Sequence, residues 1–340
     1  PIKMKSDENN EDQYVVSLNQ FKYIGKSFEE NELDTFVGIH TEYELLNSAL
    51  NFKNAIKKAK FFNIKKLGIC DHHTLGATLA FQLECKKNNI APIIGESVTV
   101  LCGDSTHTVK LYPKNEVGWF NLLNINKIIN VDNTDKHIPE NELLNHGGGI
   151  ICIFDYSDSV LRDLRDNKRY RAIINSYKDS FDSIAYQFST VEYVDDKFDL
   201  KCLEGFKYFI NNYADKDCPA VLIEDIYYLE KEHEGCKEAL NKIGNLRKQH
   251  SFEQHFKSTN ESFTKISKFF ESSDFTLEDF KEILIEETCK LFNYEFSIDL
   301  SGGKLPKYEL DNHILSDDES DELLKIYCEE GFESKIVNSG

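Results

Sequence analysis

Leu67-Gly68-Ile69-Cys70-Asp71-His72-His73 decides the reading of this chain. A short apolar run ends in a thiol, a carboxylate and two imidazoles, and a helical pattern follows. Side chains of that kind, released where a buried strand meets a loop, point to a metal site at the C-terminal rim of an α/β barrel. The same arrangement occurs twice more. Phe36-Val37-Gly38-Ile39 ends in His40, and Ala220-Val221-Leu222-Ile223 ends in Glu224-Asp225. Taken singly, each is also what a helix cap or a hydrogen-bonded structural residue looks like. Together, three strand ends carrying His or Asp converge on one site if the strands share a barrel.

Apolar runs alternate with helical periods from residue 36, as βα units require. Strands are expected at 36–39, 66–70, 92–94, 97–102, 107–112, 149–154, 183–188 and 219–223. Helices are expected at 48–63, 76–88, 115–130, 158–178, 198–214 and 231–248. Beyond about 251 strand signals fade and helices follow near 261–271, 276–291 and 317–334. Asp317, Asp318 and Glu319 fall in the first turn of the last, where the helix dipole favours acids. The expected domains are a polar extension over 1–35, a barrel over 36–250 and a smaller, mostly helical segment over 251–340.

Composition bounds the function. The 340 residues include 24 Phe and 16 Tyr, enough for a large core. No apolar run approaches the roughly 18 residues of a membrane span, and no signal peptide is visible. Nine scattered cysteines without a C-x-x-C pair read as reduced thiols in a cytoplasm-like compartment. A net charge of −19 disfavours a phosphate backbone, leaving Lys53, Lys57, Lys58, Lys60, Lys65 and Lys66 as the densest basic patch; its simplest reading is a solvated helix face. No Walker A loop, G-x-G-x-x-G, G-x-S-x-G or H-E-x-x-H occurs, and Gly147-Gly148-Gly149 reads as a turn.

Residues 36–49, F-V-G-I-H-T-E-Y-E-L-L-N-S-A, resemble the opening motif of the PHP (polymerase and histidinol phosphatase) domain in bacterial replicative DNA polymerase III alpha subunits. That pattern is roughly F-V-H-x-H-[ST]-x-Y-S-L-L-[DN]. Residues 67–96 resemble the family's T-D-H block, its G-A-x-x-F helix and its I-x-P-I-I-G strand. Residues 107–123 resemble its H-L-x-L-L-A-K-N-x-x-G-Y-x-N-L block, and 221–229 its V-A-T-N-D-V-H-Y-L segment. Phe256-Lys257-Ser258, Leu305-Pro306-Lys307-Tyr308 and Ile326–Phe332 follow the order of landmarks leading into the polymerase palm. The resemblance implies a distorted (β/α)7-type barrel.

In active members a cluster of His, Asp and Glu binds two or three divalent metals that make hydroxide and clamp a phosphate. His40, Asp71, His72, His107 and Asp225 fit that pattern. Gly38, Asn47, Ser97 and Tyr227 stand where the pattern has ligands, and Glu96 sits one place early. A one-residue slip turns a side chain to the other face of a strand, so Glu96 cannot substitute without a bulge. No P-D-x-D-type segment occurs, so the palm's catalytic acids are expected after residue 340.

The resemblance thus implies the N-terminal PHP region of a replicative polymerase, mainly structural, with a vestigial centre holding no metal or a weakly bound Zn, Mn or Mg ion. Its implied partners are the remainder of the polymerase and a proofreading exonuclease, with DNA reached through other domains and no membrane. The implied place is the cytoplasm of a bacterial cell or phage-infected host; few prolines, one methionine and abundant Asn, Lys and Ile suit an AT-rich genome. Two other readings stay open. One is an active phosphoesterase or 3′–5′ exonuclease using His40, His72, His107 and Asp225. The other is a free-standing interaction protein that reuses the fold.

Overall fold

Two periodicities organise the chain in the computed structural model, which describes residues 34–132, 135–193, 195–244, 251–269, 281–300, 308–310 and 313–336. Alternating apolar positions make strands β1 (Thr35–Ile39), β2 (Lys66–Ile69), β3 (Asp71–His72), β4 (Ala91–Ile93), β5 (Glu96–Cys102), β6 (Ser105–Pro113), β7 (Ile138–Pro139), β8 (Ile150–Phe154), β9 (Ser183–Phe188), β10 (Glu192–Tyr193), β11 (Ala220–Leu222) and β12 (Ser251–Phe252). Helical spacing makes α1 (Phe52–Phe61), α2 (Thr78–Lys87), α3 (Glu116–Lys127), α4 (Glu140–Asn145), α5 (Asn167–Ser180), α6 (Asp196–Asn212), α7 (Glu234–Ile243), α8 (Thr259–Phe269) and α9 (Glu287–Leu291). Helix starts follow cap chemistry. Asn51 accepts from the Asn54 N–H, and Asp166 from the Arg169 N–H. The Asp166 cap explains why α5 begins at 167 and not near 158. The expected extension and palm landmark at 1–33 and 305–307 lie outside the described residues.

The strands close on themselves. β1 pairs β2, β3 pairs β5, and the order continues β5–β6–β8–β9–β11. A bridge between Ile39 and Ile226 returns β11 to β1. Because β3 prolongs β2 and β5 prolongs β4, the barrel has seven courses: β1, β2/β3, β4/β5, β6, β8, β9 and β11. The distortion has a named cause. β5 and β6 form a hairpin turning at Gly103, where φ is +62°, so β6 runs antiparallel to β5 and β8.

Side chains alternate between two cores. Outward positions such as Ile69, Val98, Val109, Leu111 and Phe154 meet the helices. Inward positions fill the barrel: Val37, Cys70, Ile93, Tyr112, Ile151, Ile153, Ala185, Val221 and Ile223. Phe292, with Leu291 and Tyr294 beside it, joins this inner core from the end of α9. The described residues between 251 and 298 therefore belong to the barrel's unit, which extends to Ile298. A second unit, from Asp299, contains the antiparallel pair β13 (Glu309–Leu310) and β14 (His313–Ile314) and helix α10 (Asp317–Ile336). α10 opens on a capping box: the Ser316 N–H donates to Glu319 Oε2 at 2.8 Å, and the Glu319 N–H to Ser316 Oγ at 3.3 Å.

The lysine patch does not survive folding intact. Lys58 is buried, donating to Glu230 at 2.8 Å and to the Leu229 carbonyl at 2.9 Å. Lys66 donates to the carbonyls of Phe292 at 3.0 Å and Tyr294 at 3.2 Å. Lys53, Lys57 and Lys60 remain on the solvated face of α1. Among the described residues no helix is long and apolar enough to cross a membrane.

Candidate metal centre

His40 reaches the barrel interior because of a bulge. Val37 faces inward and Ile39 outward, with the β1–β2 register shifting between Phe36 and Ile39. Gly38 takes up the extra residue at φ +96°, a conformation that glycine adopts without penalty. A Cβ at this position would lie 2.3 Å from the Glu224 carbonyl oxygen and 2.6 Å from Ile223 Cγ2. The residue standing where the pattern has its first histidine is thus the hinge that aims the second.

The buried His40 imidazole lies between two carboxylates. Nδ1 is 2.6 Å from Glu44 Oε2, and Nε2 is 3.2 Å from Asp225 Oδ1. Burial alone would lower its pKa; Glu44 and Asp225 outweigh burial and raise it to about 9. The ring is an imidazolium at neutral pH and donates to both acids. Tyr227 stacks on it, with ring centroids 4.1 Å apart and planes within 8°. Asp71 accepts from the Thr41 backbone N–H and from the Thr41 hydroxyl, the latter at 2.7 Å. Burial pushes Asp71 up to about 6 against those bonds.

Lys110 is the residue that sequence reasoning missed. It lies in the middle of β6, is 1% exposed, and points into the barrel. Its ammonium donates to Asp155 and, at 2.6 Å, to Gln187 Oε1, and lies 3.3 Å from Asp225 Oδ1. Burial opposes its charge, but Asp155 and Asp225 hold it above the ordinary lysine value. Asp225 in turn stays below the ordinary carboxylate range: burial would raise it, and Lys110 and His40 override that. Glu44 was missed as well. It accepts from the Asn47 amide and, at 3.0 Å, from the His72 N–H.

The expected site residues divide accordingly. His40, Asp71 and Asp225 come together. His72 sits at the rim, with its ring 3.2 Å from Ser97 Oγ and stacked on His73. His107 does not join them, which corrects the expectation that it shares their cleft. β6 alternates, so His107 lies on the outward face with Val109 and Leu111, and its Nε2 is 3.4 Å from the Tyr177 hydroxyl on α5. Glu96 also stays outside. The β5–β6 register runs unbroken from Glu96–Leu111 to Cys102–Ser105, and the Glu96 carboxylate accepts from Asn126 on α3 at 2.6 Å.

These side chains do not suit a two- or three-metal cluster. A bridging pair of ions needs carboxylates free to span them. Here Asp225 faces an ammonium and an imidazolium, and Asp71 is held by Thr41. His40, Glu44 and Asp71 keep ligand atoms within 4.8 Å of one another, a group that could hold a single ion.

Residues 38–189 match the model of the PHP domain family: this stretch is a PHP domain, with the family's α/β fold. Curated proteins similar to the chain include DNA polymerase III alpha subunits. The DNA polymerase III subunit alpha of Halalkalibacterium halodurans is 28% identical over 128 residues, 37% of this chain and 12% of that protein. That of Borreliella burgdorferi is 23% identical over 294 residues, 80% of this chain and 24% of that protein. The chain thus spans at most about a quarter of these curated relatives, and its PHP domain is homologous to their N-terminal region. The solved structure of an amidohydrolase from Chromobacterium violaceum aligns with 57% of this chain and 88% of that one at 12% identity and a TM-score of 0.34, too distant to bear on function.

Proposed function

We propose that this chain supplies the PHP region of a replicative DNA polymerase of the III alpha class, and that its role there is structural. The observation that carries this reading is the fate of four positions where the pattern has metal ligands. Gly38 is a bulge with no room for a side chain, and the Asn47 amide donates to Glu44. Ser97 is bonded to His72, and Tyr227 is stacked on His40. Each is used in holding the protein together, and none supplies a charged ligand. The domain then supports the palm and offers a surface to a proofreading exonuclease. Val117, Phe120 and Leu123 are exposed at helical spacing on α3, the kind of apolar face that a partner covers.

A hydrolytic reading is favoured by one observation, the His40, Glu44 and Asp71 group. Turnover separates the two. The full chain in millimolar Mn2+ or Zn2+ is expected to hydrolyse neither p-nitrophenyl phosphate nor the 3′ end of a single-stranded oligonucleotide faster than a His40→Ala/Asp71→Asn variant. Turnover at least tenfold above that variant would replace the structural reading with the hydrolytic one.

A further inference from the structure

We propose that the Lys110 ammonium is the resident cation of this centre, occupying a ready-made site for a hard divalent ion at the top of the barrel lumen. The inference rests on the structural reading above and identifies what balances the acids there.

Three oxygen donors from three strands or strand ends surround the ammonium. Asp155 follows β8, Gln187 lies on β9, and Asp225 follows β11. Their positions are fixed by bonds made elsewhere. The second oxygen of Asp155 accepts from the backbone N–H groups of Ser157 and Asp158, each at 2.9 Å. The Gln187 amide nitrogen donates to the Ile223 carbonyl and to Asp225 Oδ2, each at 2.8 Å, so the amide oxygen must face Lys110. The inner core here also holds Cys70, Tyr112, Ile153 and Val221; burial pushes the Cys70 thiol well up, so none of the four brings a charge. The atoms the ammonium contacts are all oxygens, two of them from carboxylates, and that is the chemistry that Mg2+ or Mn2+ selects. A divalent ion on Asp225 would lie beside the ammonium and be repelled by it. A lysine is rarely buried this completely without such pairing.

Two variants of the full chain separate space from charge. Lys110→Ala opens the site, and Lys110→Met fills it with an uncharged chain. In EDTA both are expected to melt below wild type. With 1 mM Mn2+, Lys110→Ala should regain about 5 °C and bind one more ion than wild type, while Lys110→Met should not respond. Adding Asp225→Asn to Lys110→Ala should abolish the gain. A folded Lys110→Ala that neither shifts nor binds an added ion overturns the inference. If Lys110→Ala is insoluble, the comparison is Lys110→Met against Lys110→Met/Asp225→Asn. Higher soluble yield from the doubly neutral protein supports the paired cation, and no improvement overturns it. Two or more ions bound to wild type would defeat the structural reading itself, whereas wild type without them and an unresponsive Lys110→Ala defeats this inference alone.

Discussion

Gly38→Ala is expected to destabilise the barrel by about 4 kcal/mol, and Gly38→His by at least as much. Two costs add. The backbone at +96° is strained for any residue with a Cβ, and the new carbon would overlap the Glu224 carbonyl and Ile223 at the place where β11 returns to β1. Restoring the histidine of the family pattern should therefore not restore a metal centre. It should lower the urea midpoint sharply while leaving metal content unchanged. A Gly38→His protein as stable as wild type, with a newly bound ion, would show that the bulge is not the hinge described here.

Asp225→Ala is expected to cost about 3–5 kcal/mol, because it leaves the Lys110 ammonium and the His40 imidazolium buried with one carboxylate fewer. A pH profile separates this from simple loss of volume. His40 has a folded pKa of about 9 against 6.5 in the unfolded chain. Folding then takes up a proton between those values, so its stabilisation is complete below pH 6.5 and is lost as pH rises through 9. Wild-type stability should fall across that window, and Asp225→Asn, which keeps the shape, should flatten the fall. An equal slope in both proteins would leave Glu44 alone as the acid that holds the proton on His40 and exclude a share for Asp225.

Much of the fold was legible because strand and helix periods are strong in this chain. The eight expected strands lie within one or two residues of β1, β2, β4, β5, β6, β8, β9 and β11. What the pattern could not give was direction: β6 looks like any other buried strand, and only the two-residue turn at Gly103-Asp104 makes it antiparallel. The site was half legible. His40, Asp71 and Asp225 were visible as strand-end residues, but His107 was assigned by motif, and counting from Lys110 would have turned it outward. The signals for the missed residues were present. A lysine inside Thr108-Val109-Lys110-Leu111-Tyr112 must be buried with counter-charges. Glu44 lies four residues after His40 and brings in a carboxylate where Asn47 has none.

The central claim is that protein side chains, and not a metal cluster, balance the acids at the top of this barrel. Metal analysis of the purified full chain, after equilibration with excess Zn2+ and Mn2+ and dialysis against metal-free buffer, tests it most directly. The account predicts at most one ion per chain, weakly held and removed by dialysis. Two or more tightly retained ions per chain would contradict it.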